Sequence, residues 1–411
     1  MGDPGPAAAG PELRTSLRPG VGSHPGGGQR GGESDPVKEY DAIVVGAGPA
    51  GGSAAYWLGE AGRRVLVLEK ERLPRYKPCG GGVPKAVFDR FPFDFSPVIE
   101  REISRVRFRF RDGREVVADL PGKPVAMVMR DRFDYHILQH ARAEVRDGSP
   151  VVALRQDGDG VEVETASGET FRGRYLIGAD GANSRVARWA GLRGGKRMGA
   201  ALEVEVPADD ALLEEYRETV LFLLGTPPLG YLWVFPKAEH LSVGIGTFLG
   251  KNAAMREVLR REMARLGIDV EGYPEHGHPL PIYLRREALH RGRVLLAGDA
   301  GGLVDPLLGE GIRHAIDSGR MAAEAVLQED PAGYTVRVQR TLGANLRWGL
   351  RWAKVFYHHP WGSFELGVRN PRFLDLFLRL FAGRTTYRRM ALRAPLDVLL
   401  GLPRRRPAVP P

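Results

Sequence analysis

The chain has 411 residues, 43% apolar and 27% charged, which fits a globular protein of two or three domains and excludes a fibrous or wholly disordered one. Its one cysteine, Cys79, excludes an intrachain disulfide framework and a cysteine-based zinc or iron–sulfur site, and fits a reducing compartment. The net charge of +9 belongs to the C-terminal fifth, where Pro331–Pro411 carries 15 Lys/Arg against 3 Asp/Glu.

Residues 1–36 hold 10 glycines and 6 prolines without apolar periodicity, so they read as a disordered tail. They lack the apolar stretch of a secretory leader. Asp41–Val45 is a run of β-branched residues and predicts a buried parallel strand. Gly46-Ala47-Gly48-Pro49-Ala50-Gly51 follows directly, then a predicted helix over 52–61 and a second strand over 64–68. Glu69 ends that strand. This is the context of a dinucleotide-binding turn. Gly46 permits the tight turn, Gly48 lets a pyrophosphate approach the backbone, and Gly51 lets the helix pack close. The helix N-terminus offers unpaired N–H groups to the phosphates, and Glu69 can accept both hydroxyls of an adenosine ribose.

Further along, Arg174–Ser184 predicts a strand running into a glycine turn with an acid, Asp180. Thr219–Pro236 is free of charge for 18 residues, as is Ala42–Gly59. Neither predicts a membrane span, since the first is broken by Pro227-Pro228 and Gly230 and the second by its glycine turn. Arg293–Ala297 predicts another apolar strand, ending in Gly298-Asp299, followed by Gly309, Gly311 and a helix from about Ile312. An aspartate there can bind ribitol or ribose hydroxyls, and the helix N-terminus faces where a reduced flavin would carry negative charge. Residues 345–390 mix Trp, Tyr and Phe with arginine and predict amphipathic helices. These suit an anionic lipid surface, or equally a helical cap on a substrate domain with a solvated basic face. No recognition motif accompanies the charge, so nucleic acid is not expected.

The three strand–turn segments together resemble the large FAD-dependent class that includes the aromatic hydroxylases, squalene epoxidases and geranylgeranyl reductases. The resemblance covers roughly residues 40–330. Two stretches narrow it. Arg75-Tyr76-Lys77-Pro78-Cys79-Gly80-Gly81-Gly82-Val83 is similar to the K-x-C-G-G-G stretch of the geranylgeranyl reductase family. Pro228–Pro236, with Val243-Gly244-Ile245-Gly246, matches that family's P-x-x-Y-x-W-x-F-P…V-G-x-G motif at every defined position. Arg130 opens a segment similar to the class's R-x-x-F-D-x-x-L.

The resemblance implies FAD as cofactor. Its contacts would be Gly46, Gly48, Ala50, Gly51, Glu69, Cys79, Gly80, Gly82, Arg130, Asp299, Gly309, Gly311 and Ile312. Asp299 would hold the ribitol, Gly311 and Ile312 the pyrimidine edge of the isoalloxazine, and Arg130 the ribose and pyrophosphate. Tyr231, Trp233 and Phe235 alternate on one face of a strand, where they can wall a tunnel for an isoprenoid tail or form a ridge in a sheet core. The implied reaction is reduction of C=C bonds of a prenyl chain on a lipid, chlorophyll precursor or quinone, by hydride from reduced FAD plus a proton. Cys79, Glu310 or a trapped water are the candidate acids, and Cys79 can equally be a small packed residue. The electron donor stays open among NADPH, ferredoxin and a quinol. The alternatives are an FAD-dependent monooxygenase and a non-catalytic flavin-binding protein at a membrane. Gly309-Glu310-Gly311 favours the reductase, because the aromatic-hydroxylase relatives often carry Asn in that turn.

The expected architecture is α/β. A Rossmann-like FAD-binding domain spans 37–100, 121–195 and 291–330. An antiparallel-sheet substrate domain spans 101–120 and 196–290. Basic, aromatic-rich helices follow over 331–403, with a tail at 404–411. The chain is expected to be cytoplasmic, with peripheral contact on the membrane face, and to bind no metal.

Overall fold

The computed structural model describes residues 39–192, 197–250 and 254–400, so the two predicted tails lie outside the described residues. The protein is α/β, with a largely parallel sheet, a second, largely antiparallel sheet and a helical C-terminal part. Strand Glu39–Val45 lies at the centre of the first sheet, parallel to Val65–Leu68 on one side and Thr170–Gly178 on the other. Val294–Leu296 extends the sheet beyond Thr170–Gly178, again in parallel. Ile43, Val44, Leu66, Val67, Leu176 and Ile177 are fully buried, as β-branched and leucine-rich strands covered on both faces must be.

Helices Pro49–Glu60 and Ile312–Leu327 cover one face of this sheet and pack against each other. Gly319 makes that approach possible: a Cβ there would stand 2.2 Å from the Ala50 carbonyl oxygen. Gly48 and Gly311 are the N-caps of the two helices, and both line one cavity.

The second sheet has seven strands, in the order Glu275–Ile282, Arg197–Pro207, His240–Thr247, Gly230–Pro236, Thr219–Leu224, Arg105–Phe110 and Glu115–Asp119. All pair antiparallel except Thr219–Leu224 with Arg105–Phe110. The uncharged stretch 219–236 forms two adjacent strands buried on both faces. No described helix is long and apolar enough to cross a membrane. One face of the sheet packs Leu221, Leu232, Val234 and Ile245 under Leu259 and Met263 of helix Met255–Ala264. The other face presents Phe108, Phe222, Tyr231, Trp233 and Phe235. Helix Pro371–Phe381 lays Phe373, Leu376, Phe377 and Leu380 against that face, with the Phe377 ring edge-on to Phe108 at 5.7 Å. The apolar side of this C-terminal helix is therefore core, and its arginines point outward.

Candidate active site

The glycine turn leaves room where a nucleotide needs it. Gly46 has φ +104° and a Cβ there would stand 2.4 Å from the Ala179 carbonyl oxygen, so only glycine fits. Gly51 is packed beneath the turn, where a Cβ would stand 1.8 Å from the Gly46 oxygen. It shapes the site without lining it. Gly48 faces open space, the nearest atom to a Cβ there being Arg75 Nη2 at 3.4 Å. No side chain caps helix Pro49–Glu60, so its first N–H groups stay available. Glu69 is buried; its carboxylate accepts the Ala47 N–H at 2.7 Å and the Glu71 N–H at 3.1 Å, which fixes it beside the turn.

Two arginines gather on Asp134. Arg130 binds it through both oxygens, at 2.8 and 2.7 Å, and Arg75 Nη2 binds it at 3.2 Å. Burial disfavours the Arg130 charge, but Asp134 more than offsets this and holds its pKa above the usual arginine value. Arg75 also lies 3.7 Å from Glu69, and its buried Nη1 has no hydrogen-bond partner among the described residues. An anion is what this orphaned guanidinium donor and the free helix N–H groups lack, and the pyrophosphate of FAD is one.

Asp299 lies just after strand Val294–Leu296, in the turn Gly298–Gly301. Burial alone would raise its pKa, but His278, 3.9 Å away, and Lys77 hold it below the usual carboxylate value. Lys77 Nζ stands 3.0 Å from His278 Nε2. Asp299 therefore stays ionised and able to accept ribitol hydroxyls. Gly311 faces it, with the Asp299 Oδ1 only 3.4 Å from where a Cβ would be. The preceding loop is held rigidly. Asp305, fully buried, accepts the Leu307 and Leu308 N–H groups at 2.8 and 2.9 Å and the Tyr387 hydroxyl at 2.8 Å. Burial pushes the Asp305 carboxyl up. Glu310 pairs with Arg313 at 2.7 Å, and burial pushes its pKa up against that pull.

The loop Cys79–Gly82 forms the opposite wall. Gly81 has φ +67° and a Cβ there would meet the Val128 carbonyl at 2.1 Å. Lys237, fully buried, donates to the Gly80 and Val128 carbonyls at 2.9 and 2.8 Å. The Cys79 sulfur accepts the Gly81 N–H at 3.4 Å. Gly80 presses against Trp233 and Phe235. Tyr231, Trp233 and Phe235 form one row, with neighbouring ring centroids 6.3 Å apart, and Phe222 meets Tyr231 and Phe235 edge-on. Gly244 on the next strand seats the indole: a Cβ there would stand 2.1 Å from the Trp233 ring. The Tyr231 hydroxyl bonds the Leu308 carbonyl, tying the row to the loop before Gly311.

One cavity of about 720 Å³ joins these parts. Every residue singled out from the sequence lines it except Gly51, including Ala50, Gly82, Gly309 and Ile312. Arg75, Lys77, Glu203 and His278 also line it, none of them assigned a role from sequence, while Lys237 braces its wall from behind. Lys77 is the lysine of the K-x-C-G-G-G stretch, a signal in the sequence to which no role was attached, whereas Arg75, two residues before it, and Lys237, directly after Pro236, were marked only by proximity to those motifs. Glu203 carried no signal. No group of three or more His, Cys, Asp or Glu able to hold a metal occurs among the described residues.

The sequence matches the family described as FAD binding domain over residues 39–325. It is 33% identical to an uncharacterized protein of Methanosarcina barkeri, over 80% of this chain and 87% of that one. It is also 33% identical to the geranylgeranyl diphosphate reductase of Rhodobacter capsulatus, over 70% of this chain and 75% of that one. Among solved structures, a geranylgeranyl bacteriochlorophyll reductase-like protein from Thermoplasma acidophilum superposes with a TM-score of 0.67 at 21% identity, covering 90% of this chain and 97% of that one. PqsL of Pseudomonas aeruginosa, described as a probable FAD-dependent monooxygenase, superposes with a TM-score of 0.63 at 18% identity, covering 83% of this chain and all of that one. These two likenesses concern the fold.

Proposed function

Because this chain belongs to the FAD-binding-domain flavoproteins, within the geranylgeranyl reductase family, and is an FAD-dependent oxidoreductase, we propose that it reduces C=C bonds of a prenyl chain on a lipid, a chlorophyll precursor or a quinone. The observation that supports this reading is the shared cavity: the Tyr231–Trp233–Phe235 row lines the same space as Gly48, Asp299 and Gly311. The glycine turn, Arg75, Glu69, Asp299 and the N-terminus of helix Ile312–Leu327 would hold the cofactor. When bound and reduced, FAD supplies the hydride that an isolated alkene needs. The chain's own residues do the rest. Phe222, Phe248 and Phe381 close the aromatic wall and exclude water. The row and the Gly80 backbone hold a flat alkene in place.

Anaerobic incubation of the dithionite-reduced protein with a geranylgeranyl lipid, a geranylgeranylated chlorophyll precursor and menaquinone tests this, read by mass spectrometry. A gain of two hydrogens in one of them is expected. No gain, with one oxygen atom added once air is admitted, would replace the reading with a monooxygenase, the chemistry in the description of the PqsL fold relative.

The same reading gives the C-terminal part its role. Val355, Trp361 and Leu366 are exposed, with Arg351 and Lys354 beside them, and this surface suits an anionic bilayer that holds a prenyl substrate. Co-sedimentation with anionic vesicles, weakened in Trp361→Ser and absent with neutral vesicles, is the expected result; equal recovery with both vesicle types would remove that role.

A further inference from the structure

We propose that Glu203 is the acid that gives the proton to the alkene, an assignment that rests on the prenyl-reductase reading above. Glu203 sits on strand Arg197–Pro207, is 2% exposed and lines the cavity with Cys79, Trp233 and Phe235. The register places it opposite Gly244, and Gly244 opposite Trp233. Gly244 has no side chain, so the indole lies over it towards Glu203. The Ser242 hydroxyl donates to Glu203 Oε1 at 2.5 Å and stands 3.5 Å from Trp233 Nε1. Glu203 Oε2 is buried with no hydrogen-bond partner among the described side chains and backbone. A carboxyl with one oxygen anchored by Ser242 and the other in no close hydrogen bond, with only the pull of the nearby Cys79 N–H on the group, is built to hold a proton and release it into the cavity.

The other candidates are less well placed. Glu310 likewise keeps one buried oxygen without a partner and its pKa is raised by burial, but its other oxygen is bound by the Arg313 guanidinium at 2.7 Å, a counter-charge that opposes holding the proton and that Glu203 lacks at bonding distance. The Cys79 sulfur is held to its own loop by the Gly81 N–H at 3.4 Å. Around Glu203 stand Ser242, Lys237, Glu205, His276 and the Tyr76–Cys79 loop. Lys237 is committed to two carbonyls and makes no bond to it. Burial pushes the Glu203 pKa up to about 7, with Glu205 adding to the rise and Ser242, Lys237 and the Cys79 N–H opposing it.

The step balances. Glu203 gives H⁺ to one alkene carbon as the neighbouring carbon takes a hydride from the reduced flavin. The π bond becomes two C–H bonds, the flavin ends oxidised and Glu203 ends as a carboxylate. It regains its proton from water by way of His276, which lies opposite it in the adjacent strand. The His276 ring lies tilted against the Tyr76 ring, centroids 4.7 Å apart, and Tyr76 is 43% exposed, so this side leads to solvent.

The test compares wild type with Glu203→Gln in anaerobic single turnovers, following flavin reoxidation by a prenyl alkene, with FAD affinity measured alongside. Glu203→Gln is expected to keep FAD and to reoxidise roughly 10²-fold more slowly or worse. Wild-type turnover matched within about threefold by the variant, less than the effect of a lost general acid, overturns the assignment alone. A wild type that turns over no prenyl alkene overturns the reading beneath it and the assignment together. Infrared spectra add a readout independent of turnover. Between about pH 5 and about pH 9 the wild type should lose the carbonyl stretch of a buried neutral carboxyl with a midpoint near 7. That band should vanish in Glu203→Gln and shift in Ser242→Ala. A wild type without it overturns the assignment even if the glutamine variant fails to fold.

Discussion

The buried Lys237 ammonium donates to the Gly80 carbonyl at 2.9 Å, across 157 residues of sequence. It thereby fastens the end of the strand that carries Tyr231, Trp233 and Phe235 to the loop that faces them. Its second bond, to Val128, ties in the short strand Val125–Val128. Three separate pieces of chain are thus held at one atom. Lys237→Met roughly keeps the length of the side chain but takes this donor from the buried Val128 carbonyl and the half-buried Gly80 carbonyl. It should lower stability by about 1–3 kcal/mol per carbonyl that loses it and loosen the loop. Urea unfolding and FAD fluorescence titration would show this as a lower midpoint and weaker FAD binding.

The glycine turn allows a sharper contrast. Gly51→Ala places a Cβ 1.8 Å from the Gly46 oxygen, so the turn must open. The variant should purify without the yellow cofactor. Gly62, unlike Gly51, has positive φ, +73°, but a Cβ there meets nothing within 4 Å, so Gly62→Ala strains only the backbone. It should keep FAD and lose only about 1–2 kcal/mol through backbone strain. Absorbance of the purified proteins separates the two.

Gly244 is a packing residue for the aromatic wall. In Gly244→Ala the new methyl group would enter the space of the Trp233 ring, which must swing away. FAD affinity should hold while the substrate KM rises roughly tenfold, about 1.4 kcal/mol of lost binding. A parallel loss of FAD would instead mean that the strand as a whole had shifted.

Glu203 gives stability a pH dependence of definite sign. Its pKa is about 7 in the folded protein against the ordinary glutamate value of 4.5, so near neutral pH the folded form holds a proton that the unfolded chain has released. The stabilisation is therefore complete below about pH 4.5, shrinks as pH rises and is gone above about pH 7, a change of order 3 kcal/mol. Urea unfolding at pH 5 and pH 8 should show a smaller difference in Glu203→Gln than in wild type.

The features legible in the chain itself are those whose chemistry is local. A β-branched strand, Gly46-x-Gly48-x-x-Gly51 and a terminal Glu69 state a nucleotide turn within some thirty residues, because a tight strand–turn–helix writes its glycine spacing into consecutive residues, although the carbonyl that Gly46 answers to is the distant Ala179. The alternation of Tyr231, Trp233 and Phe235 likewise states that they share one face, since a strand has period two. The repeated Gly-Asp strand end at Asp299 could be recognised for the same reason.

Whatever depends on strands meeting across long separations was settled by folding. The amphipathic stretch 371–381 had two readings, a lipid-facing and a sheet-facing one. Its apolar side packs on Phe108 and Phe222, residues more than two hundred and more than one hundred positions earlier. Arg75 became a candidate anion donor only when the loop carrying it folded over Gly48. Lys237 looked like a charged residue after a turn until two carbonyls from elsewhere buried it. Glu203 is the clearest case. In sequence it is one acid among alternating acids and valines, Glu203-Val204-Glu205-Val206. Burial beside Ser242 and the Trp233 ring removes its water and leaves one oxygen in no close hydrogen bond, and a carboxyl's charge depends on that environment far more than on its neighbours in the chain.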